Sequence, residues 1–315
     1  MPLMQATTLK YFHQVARLGS IWRASEQLNV AASAISRQIA LLEHEVGQPL
    51  IERLPRGVRL TDAGEIVARH LRETEADYRR MRSWLDEIKD GQRGVVKVAM
   101  IEGMIAHSMP ELVHAFHSSH PHVRTEIAIV GSGMATDMLR ADECDLAVVF
   151  QSRNLTQLTV DAERVETFCA VMAPGHPLAA RRSLWLAEVA PHPVVLNDPS
   201  YATRSLVDQA AGEAGIALHT VALINSIEGA KAMARVGTGV VFLPSFAVER
   251  ELTSGELVAV PLSDKAFADT RLMLLSRRNR RLPIAADRLR AQLVHAMQAP
   301  GAAGAPGRKR KEKST

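Results

Sequence analysis

Residues 20–61, SIWRASEQLNVAASAISRQIALLEHEVGQPLIERLPRGVRLT, contain the pattern that decides the fold of this chain. Ala24 and Leu28 are four residues apart and predict the buried side of a first helix. Asn29 follows at a predicted turn, because Asn tolerates a positive φ angle better than most residues do. A second buried helical stripe is predicted at Ile35, Ile39, Leu42 and Val46. Two short helices joined by a tight turn are therefore predicted.

The opposite face of the second predicted helix is short and polar. It carries Ser33, Arg37, Ala40 and His44, with Ser36 on its flank. Such a face can enter a DNA major groove, which indicates a helix-turn-helix. An ordinary helical hairpin is the alternative. The Arg-bearing loop and the long helix that follow favour the helix-turn-helix.

Composition limits the function classes. The 315 residues are 47% hydrophobic, enough for two or three domains. The net charge is +4, and no segment is a polycation. DNA binding would therefore rely on individual positioned charges rather than on an overall positive field. Cys144 and Cys169 are the only cysteines, which argues against a disulfide scaffold and for a reducing compartment. Without an apolar run of membrane length or a signal-peptide core, we expect a soluble, cytoplasmic protein that does not bind membranes.

A long helix is predicted from Asp62 to about Asp90, with Thr61 as its N-cap. One heptad-spaced seam runs along it through Val67, Leu71, Thr74, Tyr78, Met81, Leu85 and Ile88. Its other faces are charged, so the seam needs a partner helix, most simply its twin in a second chain. The alternative is a single amphipathic helix that lies on its own domain.

Strands alternate with helices after residue 94, which predicts an α/β fold with a parallel sheet. The predicted strands are 95–100, 123–130, 144–150, 167–173, 193–197, 221–224, 240–243, 257–260 and 271–276. Helices are predicted at 3–18, 109–116 and 282–297. The block is long enough for two small α/β lobes.

From Leu9 to Met297 the chain resembles the LysR-type transcriptional regulators, most specifically between Ser20 and Gly64. The residues that fit the family pattern there are Ala24, Leu28, Val30, Ala34, Ser36, Arg37, Gln38, Ile39, Leu42, Glu43, Gly47, Pro49, Leu50, Arg53, Arg56, Leu60, Thr61, Ala63 and Gly64. The resemblance implies an N-terminal winged helix-turn-helix, a long linker helix and a C-terminal two-lobed α/β effector domain resembling periplasmic binding proteins.

The resemblance also implies the domain boundaries. We expect a DNA-binding domain at 1–61, a dimerisation helix at 62–93, an effector-binding domain at 94–299 and a disordered basic tail at 300–315. The first lobe is expected at about 94–162 and 268–299, and the second at about 163–267.

By this resemblance the protein is a sequence-specific transcriptional regulator rather than an enzyme, with no catalytic residues, cofactor or metal. It would bind a two-fold promoter site on double-stranded DNA as a homodimer or homotetramer and respond to a small-molecule effector. RNA polymerase is left open as a further partner. The expected DNA contacts are Ala32, Ser33, Ser36, Arg37, Gln38, Arg53 and Arg56. Arg59 lies in the same loop, but it is expected to have a structural role instead of contacting DNA.

One departure concerns the start of the second helix of the motif. The family usually has Ser-Gln where this chain has Ala31-Ala32, so a capping hydroxyl and a DNA-reaching amide are lost. Ser33 is expected to take over as cap and phosphate contact. The operator preference is expected to differ from that of typical members.

An effector cleft is expected beyond the carboxyl ends of the strands. The candidate residues are Glu102, Gly103, Ser132, Asn197, Thr203, Asn225 and Ser226. Ser132 matches a hydroxyl that family members use for effector carboxylates, and Gly103 replaces a usual Ser or Thr. Glu102 would repel a simple carboxylate and favour an amine, a hydroxyl or a pre-bound partner. The alternative for each is a satisfied loop residue or a helix cap.

Other chemistries are weaker alternatives. A metal site at His114, His117, His120 and His122 has spacings that cross a predicted helix end. A redox pair of Cys144 and Cys169 has no basic neighbour to activate a thiol. An α/β enzyme would need a nucleophile elbow, a phosphate loop or a metal triad, none of which is evident. A plain solute-binding protein would not need the helix-turn-helix.

Overall fold

The structure is a computed structural model that describes residues 6–55, 57–90, 94–105, 109–152 and 154–298. Two compact units divide the chain near Arg82. Within these ranges no helix is long and apolar enough to cross a membrane. The predicted tail at 300–315, Arg56 and the Ile88 side chain lie outside the described residues.

The first unit is a three-helix domain with a β-hairpin and the start of a long helix. Its elements are α1 (Ala6–Leu18), α2 (Ile21–Leu28), α3 (Ala32–Val46), β1 (Ile51–Leu54), β2 (Gly57–Leu60) and α4 (Asp62–Asp90). Their apolar faces meet in one core that includes the fully buried Phe12, Val15, Ala24, Ile35, Ile39, Leu42 and Leu50. The stripe predicted on α3 is confirmed for its first three members, and Val46 is half-buried.

The turn between α2 and α3 has the predicted geometry. Asn29 ends α2 with φ 54° and ψ 46°, in the left-handed region. The Val30 amide then donates to the Ser25 carbonyl at 3.1 Å, which closes the corner. Ser25 is buried, and its hydroxyl donates to the Trp22 carbonyl, so a small polar residue fits where helices approach. The angle between α2 and α3 is therefore fixed by local chemistry.

Both ends of the hairpin segment are tied down by side chains. Glu43 on α3 accepts hydrogen bonds from the Leu50 and Ile51 amides at 2.8 and 3.1 Å. The Thr61 hydroxyl accepts from the Gly64 amide at 3.0 Å, which confirms Thr61 as the N-cap of α4. The predicted bounds of α4 are confirmed. The hairpin is thus attached to α3 at one end and to the capped start of α4 at the other.

The second unit contains two α/β lobes. Its strands are β3 (Gly94–Met100), β4 (Val123–Ile129), β5 (Leu146–Phe150), β6 (Leu158–Val165), β7 (Phe168–Met172), β8 (Val194–Asn197), β9 (Thr220–Ile224), β10 (Val241–Pro244), β11 (Val258–Pro261) and β12 (Arg271–Arg277). Its α-helices are α5 (Met109–Ser119), α6 (Ser132–Arg140), α7 (Leu186–Val189), α8 (Ala202–Ala214), α9 (Ile227–Arg235), α10 (Glu249–Ser254) and α11 (Ile284–Gln298). Short 3-10 helices cover Glu102–Met104, Ser245–Val248 and Lys265–Phe267.

The sheets are mixed, so the predicted parallel pairing is confirmed for some strands and wrong for the others. The first lobe has the strand order β4-β3-β5-β12-β6, in which β3 is parallel to β4 and β5. β12 is antiparallel to both β5 and β6. The second lobe combines an antiparallel β10-β7-β11 sheet with a parallel β8-β9 pair. Apolar patterning marks where strands are, but it does not encode the direction in which a returning strand enters a sheet.

The crossing between lobes lies later than expected. The sequence predicts the change near residue 162, but β6 stays in the first sheet through Val165. β6 was not predicted as a strand because it is an edge strand with charged residues at Asp161, Glu163 and Arg164. The two crossing segments pair where the Glu166 amide donates to the Thr270 carbonyl at 2.8 Å.

Candidate DNA-reading surface and effector cleft

The outer face of α3 presents the side chains that the sequence assigned to DNA. Ser33, Arg37, Ala40 and His44 are all exposed, whereas Ile35, Ile39 and Leu42 on the other side are buried. Ala32, Ser36 and Gln38 are half-buried on the flanks. The face is short apart from Arg37, whose guanidinium can form two parallel hydrogen bonds to one guanine.

The start of α3 is not capped by a side chain. Ala31 is the N-cap residue with extended backbone angles, and it makes no capping hydrogen bond. Because the helix begins at Ala32, Ser33 is already inside its first turn. The expectation that Ser33 replaces the missing cap is therefore wrong.

The amide oxygen of Gln38 points towards its own domain. That oxygen accepts a short hydrogen bond from the buried Thr8 hydroxyl of α1. The contact holds α3 against α1 and leaves the amide nitrogen as the group of Gln38 that can act on another molecule.

The β1–β2 hairpin forms the wing. Its strands pair antiparallel, with Arg53 opposite Val58 and Arg59 opposite Glu52. Arg53 is exposed. Arg59 donates to Glu52 with an Nη2–Oε2 distance of 2.5 Å, which agrees with the structural alternative for Arg59. As an exposed ion pair, it contributes little to stability.

The seam of α4 divides into two parts. Val67 and Leu71 are partly buried against the core of the first unit, so this part of the seam agrees with the alternative of a helix that lies on its own domain. Farther along, Tyr78, Met81 and Leu85 are 58%, 42% and 48% exposed. Apolar side chains in such a row, on an otherwise charged helix, are typical of a helix that pairs.

A cavity of about 200 Å³ lies between the two lobes of the second unit. Its apolar wall includes Ile101, Ile129, Phe150, Ile227, Phe246 and Ala247. Five of its polar wall residues are Glu102, Ser132, Tyr201, Thr203 and Asn225. Of the candidates from sequence, Glu102, Gly103, Ser132, Thr203 and Asn225 thus line the cavity. A mostly apolar space with few polar groups is typical of a small-molecule site.

The Ser132 hydroxyl already makes two hydrogen bonds within the protein. Its buried hydroxyl donates to the Phe150 carbonyl at 2.8 Å and accepts from the Phe150 amide at 3.1 Å. The hydroxyl proton is therefore already used, and Ser132 ties the start of α6 to the end of β5. Its assignment as a carboxylate contact stays a prediction.

Asn197 and Ser226 lie behind the wall rather than on it. Asn197 is buried at the end of β8, and its amide oxygen accepts from the Thr203 hydroxyl at 3.3 Å. Its Nδ2 atom is buried without a hydrogen-bond partner. Ser226 is the N-cap of α9, where its hydroxyl accepts from the Gly229 amide at 3.1 Å. The helix-cap alternative therefore describes Ser226.

Tyr201, Phe246 and Ala247 were missed by the sequence analysis. Tyr201 precedes α8, and its hydroxyl lies 3.0 Å from Glu102 Oε2 and 2.7 Å from the Asn225 carbonyl oxygen. Burial and the neighbouring Glu102 carboxylate raise the pKa of Tyr201 to about 12, so its phenol stays a proton donor at neutral pH. Phe246 and Ala247 explain Gly103, since a Cβ there would lie 3.2 Å from atoms of both.

The histidines and cysteines of the alternative metal and redox sites are accounted for by ordinary contacts and burial. His120 stacks on Phe116, and His117 Nε2 lies 3.2 Å from the Thr125 hydroxyl. In the described ranges, no group of three or more His, Cys, Asp or Glu residues could hold a metal ion. Both cysteines are buried, and burial raises the pKa of Cys169 to about 12, which keeps its thiol protonated.

Two family profiles match nearly the whole chain. "LysR substrate binding domain" matches residues 89–298, and "Bacterial regulatory helix-turn-helix protein, lysR family" matches residues 6–65. The chain belongs to the LysR family. Its members are transcriptional regulators with a DNA-binding helix-turn-helix and an effector-binding domain. This LysR-type chain is 28% identical over 283 residues to the RuBisCO operon transcriptional regulator of Allochromatium vinosum, covering 90% of this chain and 93% of that protein.

Solved structures of LysR regulators share the fold. ArgP from Mycobacterium tuberculosis superposes with a TM-score of 0.66 at 23% identity, covering 93% of this chain and 97% of that chain. Full-length CbnR complexed with its target DNA gives a TM-score of 0.59 at 19% identity, covering 92% of this chain and 99% of that chain. At these identities the likeness extends to architecture and not to ligands.

Proposed function

We propose that this LysR-type regulator binds a two-fold promoter site as a homodimer or a dimer of dimers and responds to a small molecule in the cleft between its effector lobes. The proposed domains are those of the sequence analysis, with the lobe boundary moved to Glu166. Regulation would act through RNA polymerase at the bound promoter. The proposed DNA contacts are Ala32, Ser33, Ser36, Arg37, Gln38, Arg53 and Arg56.

The exposed face of α3 is the observation that carries the DNA-binding proposal. Arg37 projects from it among short side chains, so the helix backbone can approach base edges closely. Ser33 and Ser36 have the size and chemistry of phosphate or sugar contacts. Arg53 on the wing fits a backbone or narrow minor-groove contact.

The exposed part of the α4 seam supports the dimer. Tyr78, Met81 and Leu85 would be covered by the seam of a second chain, with Ile88 as a further proposed dimerisation residue. Val67 and Leu71 pack partly on the core of their own unit, so in the proposed dimer they would contribute only their exposed sides. Two recognition helices related by a two-fold axis require half-sites near whole helical turns apart.

The test is footprinting on the DNA upstream of the protein's own gene, with Arg37→Ala as the variant and exposed Arg69→Ala on α4 as the control. We expect a two-fold protected site for the wild type and the control, and an affinity loss of about 10–100-fold for Arg37→Ala at fixed salt. Affinities are compared at several salt concentrations, because a base contact and a phosphate contact differ in salt dependence.

Equal affinity for Arg37→Ala and the wild type would contradict the assignment of α3 as the DNA-reading helix. A protected site without two-fold symmetry would contradict the dimer.

The cavity supports the effector-binding part of the proposal. Its walls come from both lobes, so a molecule that binds there changes the equilibrium between lobe arrangements only if it prefers one of them. The proposed effector-site residues are Glu102, Gly103, Ser132, Asn197, Thr203, Asn225 and Ser226. Asn197 and Ser226 would act from behind the wall through Thr203 and Glu102.

A further inference from the structure

A carboxylate from the first lobe sits on the N-terminus of α9 in the second lobe. Glu102 Oε2 accepts a hydrogen bond from the Ile227 amide at 2.9 Å. Glu102 Oε1 accepts from the Ser226 hydroxyl at 2.9 Å and more weakly from the Glu228 amide at 3.4 Å. The Tyr201 hydroxyl lies 3.0 Å from Oε2. All four donors belong to the second lobe, and the acceptor belongs to the first.

This arrangement has the chemistry of an occupied anion site. The first amides of a helix have no acceptor inside the helix, and the helix dipole favours a negative charge beside them. An ionised carboxylate has about four acceptor positions. Here Glu102 receives two amides and the Ser226 hydroxyl, and the single proton of the Tyr201 hydroxyl is shared between Glu102 Oε2 and the Asn225 carbonyl oxygen. A free anion would therefore compete with Glu102 for the same amides and hydroxyls.

The two lobes also pack closely beside the Glu102 carboxylate. A Cβ on Gly103 would lie 3.2 Å from Ala247 Cβ and from a ring atom of Phe246, which is closer than ordinary van der Waals contact. A Cβ on Gly131 would lie 2.6 Å from the Ser200 carbonyl oxygen. The chain itself thus supplies both the charge and the fit that hold the lobes together at this point.

We infer that Glu102 is a built-in anionic ligand of the second lobe: it latches the two lobes at the N-terminus of α9 and excludes carboxylate effectors from that position. The effector of the remaining cavity is then an uncharged or cationic small molecule. This inference rests on the proposed effector site and makes Glu102 a determinant of its specificity.

The chemistry of the remaining cavity agrees with that class. Its apolar walls suit a compact, largely apolar body. A cationic group would gain from the Glu102 charge, whereas a second carboxylate would be repelled by it. The Asn225 carbonyl oxygen and the Thr203 hydroxyl oxygen can each accept a hydrogen bond from an uncharged polar group, whereas the Thr203 proton is already donated to Asn197.

Hydrogen exchange of the full chain, measured by mass spectrometry, tests the latch. The variants are Glu102→Ala and Glu102→Gln, and the matched control is Glu111→Ala, an exposed carboxylate in the first turn of α5. In Glu102→Ala we expect the amides of Ile227 and Glu228 to exchange about 10-fold faster or more. Glu102→Gln keeps one acceptor oxygen and should be intermediate.

Acetate is the probe for the vacated position, with chloride at equal ionic strength as its control. We expect acetate to slow the exchange of Glu102→Ala saturably, because it can take over the carboxylate position. The wild type and Glu111→Ala should not respond. Unchanged exchange in Glu102→Ala, or faster exchange that acetate does not reverse, would overturn the inference.

If Glu102→Ala fails to fold, the isosteric Glu102→Gln decides, and exchange equal to that of the wild type would overturn the inference. No DNA is present, so the result is independent of the promoter footprint. A failed footprint with a confirmed latch would remove only the proposed DNA-binding function. The opposite result would remove only the latch.

Discussion

Two helix N-termini in this protein are handled in opposite ways. α3 begins after Ala31, which makes no capping bond, whereas α9 begins after Ser226, which caps it. The N-terminus of α9 also receives the Glu102 carboxylate from across the cleft. The start of α3 receives no side-chain hydrogen bond from its cap residue. The start of α9 has both a local cap and a carboxylate ligand from the other lobe.

The difference follows from what each helix faces. α3 is held by its buried stripe and by the Gln38–Thr8 contact, which leaves its polar face open to an outside partner. α9 lies at a lobe boundary, where an unsatisfied amide would be costly and a charge from the other lobe can satisfy it. We therefore expect substitutions at and near the two helix starts to differ in their effect on stability.

The largest expected effect comes from Lys231→Met, inside α9. The buried Lys231 ammonium lies 2.8 Å from Glu251 Oε1 and 2.6 Å from Glu228 Oε1, and it donates to the Ala247 carbonyl at 3.2 Å. Its loss leaves the Glu251 carboxylate poorly solvated, so we expect the free energy of unfolding to fall by about 3–5 kcal/mol. Urea unfolding followed by circular dichroism measures it.

Two controls separate the charge from the packing. The exposed Lys265→Met should change little, and the double variant Lys231→Met/Glu251→Leu should recover much of the loss. A double variant as unstable as Lys231→Met would show that packing, and not the unpaired charge, carries the effect.

The same pair predicts a pH dependence. Burial raises the pKa of Glu251, but the Lys231 hydrogen bond and charge, together with a backbone hydrogen bond and the Arg235 charge, outweigh burial and hold the folded pKa below its usual value. A lowered carboxyl pKa stabilises the fold above the unfolded value, and this stabilisation is lost as pH falls through the folded value. The difference in stability between wild type and Lys231→Met should therefore shrink as the pH falls from about 5 through the lowered folded pKa of Glu251.

A smaller loss is expected for Ser226→Ala. The variant removes the cap on the Gly229 amide and one donor to Glu102, so we expect a loss of about 1–2 kcal/mol in the free energy of unfolding. Ser118→Ala is the matched control, since that hydroxyl only bonds a carbonyl of its own helix. Equal stability of the two variants would argue that the start of α9 gains nothing from its cap.

The smallest change should be a gain. Ala31→Ser supplies the missing cap of α3, and we expect the free energy of unfolding to rise by about 1 kcal/mol. Ala40→Ser, an exposed position in the middle of α3, should instead be neutral or slightly destabilising. Thermal melts of both variants measure the contrast. No gain for Ala31→Ser would mean that the first amides of α3 already have acceptors.

Local patterns predicted the first unit closely. The turn at Asn29, the Thr61 cap and the stripe of Ile35, Ile39 and Leu42 each depend on residues within a few positions of one another. The edge strand β6 and the antiparallel direction of β12 escaped prediction, because charged edge residues and a returning chain leave no local periodic signal. The role of Gln38 was missed for a related reason, since Thr8 lies 30 residues away.

The sequence by itself determined that the chain has a helix-turn-helix, a capped long helix and an α/β effector domain of the LysR family. Helix periodicity, caps and turn residues act over short distances along the chain, so they can be read in order. Only the tertiary structure placed Glu102 on Ser226, 124 residues away, and set Gly103 against Phe246 and Ala247. Those contacts arise when two lobes meet, and no pattern within one segment encodes the partner.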